Sequence, residues 1–473
     1  MSYKTIVGLE IHVELSTETK AFCSCKNEFG GEPNTRVCPV CLALPGGMPV
    51  LNENVVNYTI MAGLALNCNI EKLSKFDRKN YFYPDLTKGY QVTQDDMPIC
   101  TEGYLEIEGD RGAKKVGIYK IQMEEDTAKS LHTDSDETLM DYNRCGVPLI
   151  EIVSKPDMNS GKEARLFLEK LKSTLTYLGI SDCKMEEGSL RCDVNVNVVD
   201  EEKGIKTQVT EVKNLNSFRG VEKAIDFETK RHIELLEKGE DEIKTTRRWD
   251  DVNNETILMR VKYTVADYRF APEGDLPQVV IDEEKIEKIR SEMPELPDKK
   301  SARFQEEYSI PQYDAEILTS SQKLALFYEE TAEKFDDYNM VSNWMMTEVL
   351  RRVEDVEEFE VPFSTDDFAD LLKAIKTNTI NNNVGKKVLR EMFETSKKPM
   401  DIIKEQGLSQ ITDTSEIEAI VNKVIATNPK SIEDYNAGKT RVLGFLVGLV
   451  MKESRGKANP QIVNQLIMEK IKK

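Results

Sequence analysis

The 473-residue chain reads as an α+β protein. It divides into an antiparallel-sheet domain over residues 1–294, an all-α helical domain over 295–405 and a small helical tail domain over 406–473. Two observations carry this reading. In the first part, apolar residues recur with period two in short runs, as strands with one buried face require. Past Pro294, Pro297 and Pro311 the apolar spacing changes to three and four, the period of amphipathic helices.

The first strand, Ile6–Leu15, sets Val7, Leu9, Ile11 and Val13 on one face and Glu10, His12 and Glu14 on the other. Glu10 and His12, two residues apart, offer a carboxylate and an imidazole to a common point, a start for a metal site. The plainer alternative is a sheet face turned to water.

Four cysteines follow, Cys23-x-Cys25 and Cys38-Pro39-Val40-Cys41, with Gly30, Gly31 and Pro33 in the loop between them. Two close pairs joined by a short loop match what tetrahedral zinc requires. Four thiolates leave no open position, so the metal would be structural; the alternative is a set of half-buried free thiols. Cys68, Cys100, Cys145, Cys183 and Cys192 are scattered and read as small core residues.

The block Phe76–Gln91 interleaves aromatics with cations. Arg78, Lys79 and Lys88 suit phosphates, and the tyrosines suit stacking on a base or ribose. Further on, Glu124-Glu125-Asp126 closes an alternating strand. Glu151 interrupts the apolar run Val147–Val153, where a buried carboxylate needs a partner such as a divalent cation. Arg191–Val198 places Asp193, Asn195 and Asn197 on one face. Polar residues on these strands point to a wet cleft over the sheet.

In the helical part, Ala315–Phe335, Tyr338–Val353 and Thr365–Asn378 carry the three-to-four spacing, and Ser364-Thr365-Asp366-Asp367 is a helix start. Residues 438–473 hold eight lysines and arginines against two glutamates, a local charge of +6 in a chain of net charge −20. Nucleic-acid contact is therefore expected to be local and to fall on this tail, at Lys439, Arg441, Lys452, Arg455 and Lys457. No apolar run reaches the ~18 residues of a membrane span. The N-terminus has no secretory h-region, and nine cysteines, an odd number in a large chain, point to a reducing, cytoplasmic setting.

The runs VGLEIHVEL, CPVCLALPG, FDRKNYFYPDLTKGYQVTQ, NRCGVPLIEIVS, LGISDCKMEEGSLRCDVNVNV and VKNLNSFRGVEKAI, with the tail GFLVGLVMKESRGKANPQIVNQLI, resemble the B-subunit family of the aspartyl/glutamyl-tRNA amidotransferases. The resemblance spans essentially the whole chain in order. It implies a ligase subunit whose N-terminal cradle uses ATP to phosphorylate the side-chain carboxylate of Glu or Asp mischarged on tRNA for Gln or Asn. Ammonia from a glutaminase A subunit, channelled through a heterotrimer that includes a small C subunit, then gives the amide. By position it implies Mg²⁺ at Glu10, His12, Glu125 and Glu151, with His12, the odd ligand by hardness, at the rim or acting through water. Lys79, Tyr81, Asp85 and Lys88 resemble pocket and channel-mouth residues, and Arg191, Asp193 and Asn195 the opposite wall. A tRNA-binding scaffold without the kinase step is the alternative. The chain departs from the family pattern at Cys145, usually alanine, and in 244–250, 259–263 and 268–275.

Overall fold

The computed structural model describes residues 3–109, 112–132, 137–240, 243–261, 268–408, 414–436, 441–454, 458 and 460–471. They form two compact units, Met1–Leu296 and Pro297–Lys473.

The first unit is built on a large twisted sheet. Its principal strands are β1 (Tyr3–Glu14), β4 (Cys100–Gly109), β5 (Gly112–Glu125), β6 (Pro148–Ser154), β7 (Leu190–Asp200), β8 (Thr210–Lys213), β9 (Thr245–Asp250) and β10 (Glu255–Val261). They run in the order β10-β9-β8-β7-β1-β6-β5-β4, with β1 central. The short strands β2 (Asp77–Asn80) and β3 (Tyr90–Thr93) pair beside it, and β11 (Ala271–Pro272) adds to β2. The expected antiparallel pairing holds along this order except between β8 and β9, which run parallel. A parallel pair needs a crossover rather than a hairpin. Helix α3 (Phe218–Lys238) supplies it, started by the Ser217 side chain and ended at Gly239 with φ 68°.

The alternation of β1 is realised residue by residue. Val7, Leu9, Ile11 and Val13 are at most 1% exposed, while the even-numbered residues from Ile6 to Glu14 are only half-covered. The buried face packs under α1 (Glu53–Ala65), α2 (Gly161–Tyr177) and α3, whose Ile60, Phe167, Leu171, Val221 and Ile225 complete one core. Helices α2 and α3 cross closely at Gly161, where a Cβ would lie 2.4 Å from the Glu222 carbonyl oxygen. The opposite sheet face is polar, and its register settles what meets there. Glu10 lies across from Asp193, and His12 sits between Arg191 on β7 and Glu151 on β6.

The second unit is helical, with one core from Phe304 to Ile403 and another from Ile417 to Ile471. Thr365–Lys376 starts as its sequence indicates, with reciprocal Ser364–Asp367 capping. The periodic stretch Ala315–Phe335 is two helices, Gln312–Leu318 and Gln322–Lys334. The break falls at Thr319-Ser320-Ser321, where the Thr319 and Ser320 hydroxyls bond local carbonyls and favour ends over interiors. Among the described residues no helix is long and apolar enough to cross a membrane.

Candidate active site

Three side chains from three adjacent strands converge on the polar face: His12 of β1, Glu151 of β6 and Glu124 of β5. Their ligand atoms all lie within 4.8 Å of one another. The Nε2 of His12 is 3.4 Å from Glu124 Oε2. Glu124 is held rigidly: the Thr93 hydroxyl donates at 2.6 Å, Gln122 Nε2 at 3.0 Å and Gln91 Nε2 at 3.2 Å. Gln122 Nε2 also donates to Glu151 at 2.7 Å.

The charges divide accordingly. Burial would raise Glu124, but the hydrogen bond and charge of His12, then Lys79 and Thr93, hold it well below the usual carboxylate range. Burial would lower His12, and its bond to Glu124 reverses that and raises it. Glu151 is pushed up to about 7, by burial first and the neighbouring Glu124 charge second. Two close carboxylates of which one is reluctant to ionise are a natural seat for a dication. A further sign of fit is Gln122 Oε1, a buried oxygen beside both glutamates with no hydrogen-bond partner.

Glu125 does not belong to this group. Successive side chains on a strand face opposite ways, so Ile121, Met123 and Glu125 turn away from the face that carries Gln122 and Glu124. Glu125 is instead bonded to the Lys88 ammonium, and its Oε1 accepts from Val92 N at 3.0 Å. The set Glu10, His12, Glu125 and Glu151 is therefore not the one that the sheet assembles; Glu124 stands where Glu125 was expected. The alternation of Ile121-Gln122-Met123-Glu124 carried that signal.

Glu10 takes part in a separate cluster with Asp193 and Glu211. Its cation is internal: Lys213 is bonded to Asp193 and lies 3.3 Å from Glu211. Asn195 lies opposite Gly8, lining the same cleft wall as Glu10. Arg191 pairs with Asp126 at 2.6 Å, and Arg144 approaches the same oxygen at 3.5 Å. Asp126 in turn helps burial push Glu14 up to about 8.

On the rim, Tyr81 donates to Gln91 Oε1 at 3.3 Å, tying the aromatic loop to the residues around Glu124. Lys79 Nζ lies 5.1 Å from the Tyr268 ring centre. Asp85 Oδ2 accepts from the Thr127 hydroxyl at 3.0 Å, and its carbonyl accepts from Ala128 N at 3.0 Å. In the altered 268–275 segment, Glu273 grips the Arg78 guanidinium through two bonds of 2.9 and 2.7 Å.

Cys23, Cys25, Cys38 and Cys41 come together with all sulfurs within 4.8 Å. The Cys38–Cys41 and Cys25–Cys41 separations are 3.6 and 3.9 Å. A tetrahedron of ~2.3 Å zinc–sulfur bonds has sulfurs about 3.8 Å apart, so the residues present fit the ion. Cys41 is pulled down to about 4, first by the hydrogen bond from Cys23, against burial and with help from Cys38 N and Lys20. Lys20 escaped notice in the sequence. It is 0% exposed, and its ammonium donates to the Arg36 carbonyl at 2.9 Å. Its Cδ and the Cys41 Cβ both lie against Gly146, which adopts φ 78°. The module is stitched to the cleft: Thr87 donates to the Cys41 carbonyl at 2.9 Å, and the Cys145 thiol to the Asp85 carbonyl at 3.7 Å.

In the tail, Lys452 is exposed near the end of helix Arg441–Glu453. Lys439, Arg455 and Lys457 lie outside the described residues, as does the side chain of Arg441.

Residues 5–287 match the family model of the GatB/GatE catalytic domain, and residues 326–471 that of the GatB domain. Over the full length of both chains, the sequence is 54% identical to the B subunit of the aspartyl/glutamyl-tRNA(Asn/Gln) amidotransferase of Clostridium tetani (strain Massachusetts / E88). It is 53% identical, again over both full lengths, to the B subunit of the same name from Clostridium botulinum (strain Langeland / NCTC 10281 / Type F). The chain belongs to the GatB family of amidotransferase B subunits.

Proposed function

We propose that this chain carries the phosphorylation and amide-forming site of a cytoplasmic, ATP-dependent tRNA amidotransferase, working with a glutaminase A subunit and a small C subunit. The substrate is Glu or Asp mischarged on tRNA for Gln or Asn. A side-chain carboxylate oxygen attacks the γ-phosphorus of ATP and ADP leaves, giving an acyl phosphate. Ammonia from the partner then attacks the acyl carbon, phosphate departs and the nitrogen gives up a proton.

The observation that carries this reading is the convergence of His12, Glu124 and Glu151, with the orphaned Gln122 oxygen, on the floor of a cleft bordered by cations. Mg²⁺ held by Glu124 and Glu151, with His12 at its edge, would offset the charge of the phosphates. Lys79, whose charge acts on both glutamates, is placed to meet phosphate oxygens. Arg191 stands opposite, positioned by Asp126. Lys88, Glu125 and Asp85 sit where ammonia would enter, and the two carboxylates there are acceptors for its proton. Tyr81 borders that pocket, and Asp193 and Asn195 line the far wall. The cysteines hold one structural zinc. The basic tail, 406–473, grips the tRNA phosphates through Lys439, Arg441, Lys452, Arg455 and Lys457.

The test is ATP hydrolysis by the reconstituted three-subunit complex with each mischarged tRNA in turn. Hydrolysis that depends on a mischarged tRNA and is lost in a Glu124→Gln variant supports the assignment. A complex that binds tRNA with no tRNA-dependent hydrolysis would show a scaffold instead.

A further inference from the structure

Four aromatic rings form a continuous ladder beside the cleft. Tyr83 meets Tyr81 with centroids 6.1 Å apart, Tyr81 meets Tyr268 at 5.9 Å, and Tyr268 meets Phe270 at 6.0 Å. Every contact is edge-on, with interplanar angles of 66°, 70° and 63°, so no two rings stack face to face. The outer rings are wet: Tyr83 is 59% exposed and Phe270 42%, and Phe82 between the tyrosines reaches 88%. Apolar rings held in water in this way mark a surface that something covers.

The ladder is built, not incidental. Its two segments are far apart in sequence and are sewn together by backbone. Asn80 N donates to the Tyr268 carbonyl at 2.9 Å, Asn80 Nδ2 donates to the Arg269 carbonyl at 2.8 Å, and β11 pairs with β2. The Glu273 grip on Arg78 anchors the same segment from below, and the Arg78 guanidinium lies 4.6 Å over the Tyr90 ring. The Lys79 ammonium sits against Tyr268. At its inner end the ladder runs straight into the site, through Tyr81 to Gln91 and from Gln91 to Glu124.

We propose that this ladder is the stacking platform for the unpaired 3′-terminal nucleotides of the charged tRNA. The inference rests on the function proposed above and adds the place where the nucleic acid ends. An aminoacyl group arrives as an ester on the last ribose, so when its side chain reaches Glu124 and Glu151 the terminal base lies outside them by the length of the side chain, ester and ribose, towards the rim that the rings border. Exposed aromatic rings with a cation alongside are the surface that single-stranded nucleic acid uses, and stacking asks nothing of base identity. The chain's net charge of −20 makes such a local contact necessary, because the surface at large repels phosphate.

The experiment uses the reconstituted complex and tRNA with 2-aminopurine in place of its 3′-terminal adenine. Stacking quenches this base, so quenching is expected with the wild-type chain and is expected to fall in Tyr83→Ala, in Phe270→Ala and most in the double variant. KM for charged tRNA should rise roughly tenfold for each ring removed, with kcat and the KM for ATP unchanged. Tyr83→Phe and Phe270→Tyr, which keep the ring, should restore both readouts. The fluorescence needs no turnover, so ring-dependent quenching supports the platform even in a complex that fails to amidate. A double variant that amidates with wild-type KM and wild-type quenching overturns the platform and leaves the functional reading standing.

Discussion

Glu151 illustrates how one side chain ties stability to chemistry. Its folded-state value of about 7 lies above that of an unfolded glutamate, so folding favours the protonated form. The stability this contributes is complete below about pH 4 and is lost as pH rises through 7. Glu151→Gln keeps the volume and removes that slope. In metal-free buffer its Tm should equal or exceed wild type at pH 8 and converge with it at pH 4, while added Mg²⁺ should raise Tm in the wild type only. The same variant should lose at least ~10–100-fold in tRNA-dependent ATP hydrolysis. Lys20 makes a parallel case. A buried ammonium with one carbonyl partner is costly, and four thiolates around a zinc ion leave a net double negative charge to balance it. Lys20→Met should therefore keep the fold but weaken zinc retention against a chelator by ~10–100-fold, whereas Cys38→Ser should abolish the expected stoichiometry of about one zinc per chain.

At the level of elements, β1 and β7 were legible because they alternate between a buried and a wet face, and β6 because a lone Glu151 breaks its apolar run; the register then brings Glu151 opposite His12. The cysteine module was legible from spacing alone. What stayed hidden lies in contacts between distant segments. Gln91 and Thr93 reach Glu124 from a small separate sheet, and Tyr268 joins Tyr81 from a segment far along the chain. Which of Glu124 and Glu125 meets His12 and Glu151 follows from the face of β5 that each occupies. The helical tail brings its own constraint. Leu446, Val450, Val463 and Ile467 complete a core with Ile417 and Val421, so cutting the chain at 438 would expose that core as well as remove charge. The sharper test is charge reversal at Lys452, Arg455 and Lys457. Filter binding across a salt series should give weaker tRNA affinity and a slope reduced by about one for each phosphate no longer neutralised, and glutamine hydrolysis should persist. Affinity and slope equal to wild type would leave the tail only a solubilising end.

At the level of the whole molecule, a sheet with helices under one face leaves the other face free to be polar, and that division is what gives this chain a chemistry. The floor of the cleft gathers oxygens, the rim gathers cations and aromatic rings, and the cysteine module fastens the loop that carries Asp85 and Lys88. On the function proposed above, the floor transfers a phosphoryl group to the substrate's own carboxylate. That transfer is tested most directly by charging the tRNA with glutamate labelled with ¹⁸O in its side-chain carboxylate, then analysing the phosphate released during amidation by the reconstituted complex. An acyl phosphate hands one carboxylate oxygen to phosphate, so one ¹⁸O is expected per phosphate released for each amide made, with loss of both labelled phosphate and amide in Glu124→Gln. Unlabelled phosphate alongside a full yield of amide, or a Glu124→Gln complex that amidates at the wild-type rate, would contradict it.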